Sequence, residues 1–210
     1  MSKDSIDLIE SKLSQMLTES TRMYDIAMNC LLSDTNLDAV RDDLYATDKE
    51  INKLHKAVRR EMIIHSAVHS RNLDVPLLLS FMTMSKDIER IGDYCKNLFE
   101  IAETGNTFAK GEHADEFQAL KSDIGKMIVY LQSCLSLDDE SKTQDLITLG
   151  QATTKSLDKK ITALLNKTVE TQYPVATTLF YRYQKRIVSH IINASTAIIM
   201  PTDKIDYLDE

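Results

Sequence analysis

Residues that end helices or shape tight turns are scarce in this chain of 210 residues. It has five glycines, three prolines and no tryptophan, whereas a protein of many short strands needs frequent turns built from glycine and proline. Leucine, alanine, glutamate and lysine, which are strong helix formers, are abundant. The composition therefore predicts an all-α protein.

Long apolar runs, a secretory leader and paired cysteines are also missing. The longest apolar runs, such as those that begin at Pro76 and Ala197, fall far short of the roughly 18 residues that a membrane span requires. The N-terminal sequence lacks the basic flank and apolar stretch of a secretory signal. Cys30, Cys95 and Cys134 form no CxxC pair, so we expect reduced cysteines in the core. These features predict a cytoplasmic protein that meets a membrane only through its partners.

The charge pattern and the absent motifs exclude several function classes. The net charge is −7 and the chain has no long cluster of lysine and arginine, so we expect no nucleic-acid partner. It also lacks a glycine-rich phosphate loop, a GxSxG elbow and an HExxH pair, which are common signatures of catalytic sites. We therefore predict no catalytic residues and no enzyme.

Apolar residues recur at alternating steps of three and four along six segments, which is the pattern of helices packed in a bundle. The polar cluster at 33–36, the Val-Pro and Tyr-Pro pairs at 75–76 and 173–174, and the glycine at 105 separate some of them. The predicted helices cover approximately 6–30, 44–68, 76–102, 117–134, 146–169 and 175–200.

The third and sixth helices contain an internal repeat. Arg90-Ile91 with Asn97 has the same spacing as Arg186-Ile187 with Asn193. The polar segment 106–113 is the best boundary between two halves. The sequence thus predicts two tandem three-helix bundles at 1–105 and 113–201, followed by an acidic tail at 202–210.

Polar side chains cluster on two of the predicted helices. Glu89 and Asp93 lie four residues apart and share one face of the third helix, while Asp48, Asn52 and His55 share one face of the second. An antiparallel arrangement would bring the two faces together. A cluster of oxygen ligands with one imidazole suits Mg, Mn or Fe, and Zn less well.

The alternative is a solvated face without a metal. Glu89 and Asp93 would then pair with nearby cations, for which Lys86, Arg90 and Lys96 are available. Exposed ion pairs of this kind contribute only about 0–1 kcal/mol. Spacing alone leaves both readings open.

The segment Asp87-Ile-Glu-Arg-Ile-Gly-Asp93, followed by Asn97, resembles the signature D/E-x-E-R-I-G-D-x-x-x-N of the PhoU family of phosphate-uptake regulators. Residues 48–52 resemble the second-helix motif of the same family, and the match extends over roughly 40–103. The resemblance implies a fold of two three-helix bundles. It also implies a metal bound through E(D)xxxD motifs and a role in which the protein helps a phosphate transporter to signal sufficiency to a sensor kinase.

Transferred residue by residue, the resemblance nominates a metal face and leaves the metal open among Fe, Mn, Mg and Zn. Arg90 is expected to orient a carboxylate rather than to touch the cation. His55 stands where the family often has a carboxylate and is kept as a further candidate. The expected metal ligands are Asp48, Asn52, Glu89 and Asp93.

The second half departs from this pattern. Lys185 and Ser189 occupy the positions equivalent to the two carboxylates of the third helix, and a lysine there would repel a cation. Asp158 begins a segment that resembles the second-helix motif, whereas Asp145 fits the spacing better. We expect the second half to bind metal weakly or not at all.

Further histidines and aromatic residues invite functional readings. Glu61, His65 and His69 follow one another at steps of four, a spacing that can hold zinc, although solvated or capping histidines are commoner. His190 is expected to lie in the core or at its edge rather than to activate Ser189. An aromatic group is expected to pack, with a partner-binding patch as the alternative: Tyr173, Phe180, Tyr181 and Tyr183.

The predicted function is that of a regulator or adaptor of phosphate uptake and phosphate-responsive signalling, which binds a transporter component or a sensor kinase. One alternative is an accessory subunit of a sodium-phosphate or inorganic-phosphate permease. Another is a carboxylate-bridged metalloenzyme, which would need further inward ligands. A homo-oligomer is compatible with the sequence, and Tyr24 and Met28 on the first helix are candidates for its interface.

Overall fold

The structure, a computed structural model, describes residues 3–71, 73–111, 113–135 and 140–200. Over these ranges it contains six α-helices and no strand, as predicted. The expected acidic tail at 202–210 lies outside the described residues. The helices are α1 (Lys3–Leu32), α2 (Leu37–Val68), α3 (Val75–Glu103), α4 (Ala114–Cys134), α5 (Glu140–Leu165) and α6 (Pro174–Ile199).

Polar caps and glycine define several helix ends. The Asn36 side chain accepts a hydrogen bond from the Asp38 amide at the start of α2, and Asp74 accepts one from the Leu77 amide at the start of α3. These caps satisfy amide groups that have no partner within the helix. After α3, Gly105 adopts a φ of 82°, a conformation that glycine reaches without strain.

The fifth helix ends earlier than its apolar pattern predicts. It stops at Leu165 rather than near Val169. Lys167 has a φ of 55°, and the Thr168 amide donates to the Ala163 carbonyl at 3.0 Å. Such a left-handed residue closes a helix by returning the chain to the carbonyl groups of its last turn.

The two halves pack side by side. In the first, α1 lies against α2 and α3, and in the second, α6 lies against α4 and α5. The halves meet where α1 contacts α4 and where α3 contacts α6 along much of its length. The two halves therefore share one continuous apolar core.

The face of α1 around Tyr24 and Met28 is part of this contact between the halves. Both side chains are fully buried. The Tyr24 hydroxyl donates to Gln184 Oε1 at 2.9 Å, and the Gln184 amide contacts Met28 Sδ at 2.8 Å. Tyr24 and Met28, which the sequence left open as candidates for an interface between copies, are therefore buried within one chain instead.

The segment between the halves is anchored rather than free. The Phe108 amide donates to the Leu31 carbonyl at 2.7 Å. Phe108 is 4% exposed, and its ring lies 4.9 Å from the Phe117 ring and 5.3 Å from the Phe180 ring, centroid to centroid. The boundary predicted at 106–113 is thus a connection with its own buried aromatic contact.

All three cysteines are free and buried, as expected. Burial raises the pKa of the Cys95 thiol far above its ordinary value, which keeps it protonated and unreactive. None of the helices that the structure describes combines the length and apolarity needed to cross a bilayer.

Candidate functional site

The two predicted carboxylate faces meet between α2 and α3, which run antiparallel as consecutive helices. Gly92 lies between Glu89 and Asp93 and allows the close approach, because a Cβ there would stand 3.2 Å from Ile51 Cδ1. The structure thus brings Asp48 into the same cluster as the carboxylates of α3.

A lysine ammonium lies at the centre of this cluster. Lys96 Nζ is 2.9 Å from Asp48 Oδ1 and 2.9 Å from Asp93 Oδ1. Its side chain is 23% exposed, and those of Asp48 and Asp93 are 15% and 29% exposed. Lys96 therefore bridges α2 and α3 from a position that is largely shielded from water.

The remaining polar atoms of the cluster are paired with one another. Asn52 Nδ2 donates to Asp48 Oδ2 at 3.2 Å, and an Arg90 guanidinium nitrogen donates to Asp93 Oδ2 at 3.2 Å. Arg90 Nε lies 3.9 Å from Glu89 Oε2. Arg90 therefore contacts both carboxylates of α3, and its role in orienting a metal ligand stays a prediction.

The electrostatics distinguish Lys96 from Glu89. Burial alone would lower the pKa of Lys96, but its hydrogen bonds to Asp48 and Asp93 outweigh burial and raise it. Burial and the nearby Asp93 carboxylate raise the pKa of Glu89, and the cations Arg90 and Lys96 offset this only in part. Glu89 is thus a carboxylate whose negative charge the neighbouring cations offset only in part.

The arrangement fits an ammonium better than a metal ion. Over the described part of the chain, no three His, Cys, Asp or Glu side chains converge closely enough to hold a metal. Lys96 Nζ occupies the space between Asp48 and Asp93 that a bridging cation would need. Metal binding by Asp48, Asn52, Glu89 and Asp93 stays a prediction, and Lys96 is the group that a metal would have to displace.

His55, the additional candidate ligand on α2, is 8% exposed. Burial, together with the nearby Arg59 charge, lowers its pKa to about 4. Its Nε2 has no hydrogen-bond partner among the described residues. The ring is therefore neutral at pH 7 and has an unused nitrogen, but the structure places it inside the core rather than among the carboxylates.

Comparison with known proteins bears on this cluster, because residues 13–102 match the family model of the PhoU domain. The matched region contains α2 and α3 with their carboxylates. The similarity to the PhoU domain thus lies in the first half of the chain. The resemblance read from the motifs at 48–52 and 87–97 is thus confirmed.

Curated relatives and a solved structure agree with this result. The PhoU homolog of Deinococcus radiodurans, described as a phosphate-specific transport system accessory protein, is 29% identical over 89 residues, which are 42% of this chain and 39% of that protein. The accessory protein PhoU of Serratia marcescens is 33% identical over 57 residues, 27% of this chain and 23% of that one. The chain thus matches about two fifths and about a quarter of the length of these relatives.

The crystal structure of PhoU from Pseudomonas aeruginosa has the same fold. It matches with a TM-score of 0.78 and 17% identity, over 95% of this chain and 97% of that one. The prediction of two tandem three-helix bundles of the PhoU type is confirmed.

In the second half of this PhoU fold, a lysine of α6 occupies the face that corresponds to the carboxylate face of α3 and pairs with a carboxylate of α5. Lys185 Nζ lies 2.6 Å from both carboxylate oxygens of Asp158. The Ser189 hydroxyl donates to the Lys185 backbone carbonyl at 2.9 Å. Asp158, rather than Asp145, is therefore the α5 carboxylate that faces Lys185.

The other sequence candidates also have defined surroundings. His65 Nδ1 lies 2.6 Å from the Ser5 hydroxyl, and its ring centroid is 4.7 Å from that of His69. With Glu61 they do not form a metal-binding group in the described structure. Phe180 and Tyr181 are buried, which confirms the packing interpretation for these two aromatic residues.

Two contacts were missed by sequence reasoning. The Asp48–Lys96 bridge joins two helices, and only the Asp93–Lys96 spacing of three residues gave any signal for Lys96. The second is a buried pair between α3 and α6, in which His190 Nδ1 lies 2.6 Å from Asp87 Oδ1. His190 is buried, as expected, but its partner is 103 residues away and has no local signal.

Proposed function

We propose that this protein is an accessory regulator of phosphate uptake and phosphate-responsive signalling that acts by binding a transporter component or a sensor kinase. The observation that carries the proposal is the PhoU domain at 13–102. The matched relatives bear the name of accessory proteins of the phosphate-specific transport system. The whole-chain likeness to PhoU of Pseudomonas aeruginosa supports the fold that this role would use.

Binding of a protein partner needs a surface, and the end of the α2–α3 hairpin offers an apolar one. The last turns of α2 and the first turns of α3 lie at the same end of the first half. Exposed apolar side chains concentrated at one end of a domain are typical of contact sites. We define the hairpin-end surface by Ile63, Ile64, Val68, Val75, Leu79 and Met82, which are 70%, 50%, 69%, 50%, 47% and 42% exposed.

The proposal assigns the hairpin-end surface to the partner, because these side chains contribute little to the chain's own core. A charged residue placed there would have to be desolvated in the complex, which costs several kcal/mol. Ile63→Asp and Val68→Asp should therefore abolish binding while the protein stays folded. Val129→Asp is the matched control, because Val129 is 53% exposed on α4 in the other half.

The test uses a deletion strain complemented with each variant. Phosphate uptake and expression of phosphate-starvation genes are measured under phosphate-rich conditions. We expect the wild type and Val129→Asp to restore regulation and the two hairpin-end variants to fail. If deletion changes neither uptake nor gene expression, the regulatory role is wrong. If the hairpin-end variants complement fully, the surface is wrong and the role stands.

A further inference from the structure

A polar groove of about 530 Å³ lies between α3 and α6. It is separate from the carboxylate cluster between α2 and α3. Its volume is within the range of small-molecule binding sites. The residues that line it come from both halves of the chain: Met82, Thr83, Lys86, Asp87, Arg90 and Tyr94 from α3, and Arg186, His190 and Asn193 from α6.

The groove contains a buried Asp–His pair. Asp87 and His190 are 6% and 8% exposed. His190 Nδ1 lies 2.6 Å from Asp87 Oδ1, and Asn193 Nδ2 donates to the same oxygen at 3.4 Å. A carboxylate on Nδ1 fixes the ring orientation and leaves Nε2 for another partner. Nε2 is buried and has no such partner among the described residues.

Aromatic stacking holds the ring and one cation in place. The Tyr94 ring stacks on His190 with centroids 5.6 Å apart. Arg186 Nε donates to the Tyr94 hydroxyl at 3.0 Å, and its guanidinium carbon lies 5.6 Å from the centre of the same ring. Tyr94 therefore positions both the imidazole and the guanidinium group along one wall of the groove.

Positive charge is concentrated here in a chain of net charge −7. Lys86, Arg90 and Arg186 line the groove, and its single carboxylate, Asp87, is paired with His190. Arg90 is shared with Asp93 and Glu89. Lys86 and Arg186 have no carboxylate within ion-pair distance in the described part of the chain. Two cations without a carboxylate partner and an imidazole nitrogen without a hydrogen-bond partner are groups of the kind that bind an oxyanion.

We propose that this groove binds a phosphate group, either as inorganic phosphate or as the phosphate of a small monoester. The guanidinium of Arg186 and the ammonium of Lys86 neutralise the anion. His190 lines the groove beside them, and its Nε2 has no hydrogen-bond partner among the described residues. The site deepens the proposed function, on which its biological role rests, by giving the regulator a ligand of its own.

The experiment is calorimetric titration of the purified full chain, in phosphate-free buffer at low salt, with inorganic phosphate and separately with glycerol phosphate. A hydrogen bond to a charged group is worth about 1.5–3 kcal/mol. Arg186→Gln and Lys86→Gln should therefore each weaken binding roughly tenfold or more. Lys155→Gln is the control, since it removes the same charge from an exposed position on α5. In parallel, the imidazole resonance of His190 should shift on phosphate addition.

Each result decides something. Preferential binding of inorganic phosphate or of the monoester supports the site and identifies its source of phosphate. The proposal is overturned if neither ligand binds saturably at millimolar concentration, if both groove variants bind like the wild type, or if Lys155→Gln weakens binding equally. Lys86 is exposed, so its removal leaves the fold intact, and circular dichroism checks this for each variant. Because no transporter is present, failure here is distinguishable from failure of the regulatory role.

Discussion

Replacement of Lys96 by methionine tests whether the α2–α3 carboxylates depend on an internal cation. The variant keeps the length of the side chain but leaves Asp48 and Asp93 facing each other without the ammonium that lies 2.9 Å from each. Exposed ion pairs contribute about 0–1 kcal/mol, and loss of one partner of a fully buried pair costs about 3–5 kcal/mol. The three side chains here are 15–29% exposed, so we expect an intermediate loss of about 2 kcal/mol.

Thermal and urea unfolding, followed by circular dichroism, measure this loss. In a chain of this size about 2 kcal/mol lowers Tm by roughly 4–8 °C. The control is Lys53→Met, because Lys53 is 77% exposed and, among the residues that the structure describes, forms its ion pair with Glu50 within α2. The reasoning is refuted if Lys96→Met is as stable as Lys53→Met.

The contribution of Lys96 to the stability of the fold depends on pH in one definite direction. The pKa of Lys96 is raised by its carboxylate partners, which outweigh the opposing effect of burial. The folded protein therefore holds this proton more tightly than the unfolded chain, whose lysine pKa is about 10.4. The stabilisation is complete below that pH and disappears as the pH rises through the raised pKa. On the alkaline side, the difference in stability between wild type and Lys96→Met should narrow as the pH rises through the raised pKa of Lys96.

The same variant tests the metal prediction. With the ammonium removed, Asp48, Glu89 and Asp93 lack the charge that a divalent cation would supply. Millimolar Mg²⁺ or Mn²⁺ should then raise the Tm of Lys96→Met more than that of the wild type, because a ligand that binds only the folded state stabilises it. Equal responses in both proteins would mean that these carboxylates are not arranged for a metal even when Lys96 is absent.

Four further substitutions test the packing and charge of the helices by thermal unfolding. Glu89→Gln should raise stability at pH 7 but not near pH 4, because burial and Asp93 raise the pKa of Glu89 and its ionisation therefore destabilises the folded state; equal effects at both pH values would contradict this. Gly125→Ala should stabilise the folded state by about 0.5–1 kcal/mol, since the added Cβ would have ordinary contacts at 3.8 Å. Gly150→Ala should destabilise it by about 1–3 kcal/mol, since the added Cβ would lie 2.6 Å from a side-chain carbon of α6. Tyr24→Phe should cost about 1–2 kcal/mol by leaving the buried Gln184 oxygen without its donor, and an unchanged Tm would show that this bond adds nothing.

The helices were predictable because apolar residues recur visibly at steps of three and four along the chain. Their ends were less so, as α5 shows: the left-handed backbone at Lys167 that ends it leaves no mark in the apolar pattern. The side-by-side packing of the halves was not predictable, since nothing local distinguishes the buried Tyr24 from an exposed tyrosine at a helix surface.

The α2–α3 cluster was predictable in its members but not in its chemistry. The motifs identified Asp48, Asn52, Glu89 and Asp93, and the structure brings the two motifs together. Whether a metal or Lys96 lies between the carboxylates depends on helix rotation to within a fraction of a turn, which spacing does not specify. The contact between Asp87 and His190 depends on how the two halves dock, so it lay beyond any reading of one segment.

The buried ring of Phe108 has a mechanical consequence. It ties the connection between the halves to Leu31 at one end of α1 and to Phe117 and Phe180 in the second half. A hinge at this position would have to expose an aromatic side chain, at a cost of about 1.5–3 kcal/mol. Separation of the two halves is therefore opposed at the connection itself, in addition to the contacts of α1 with α4 and of α3 with α6.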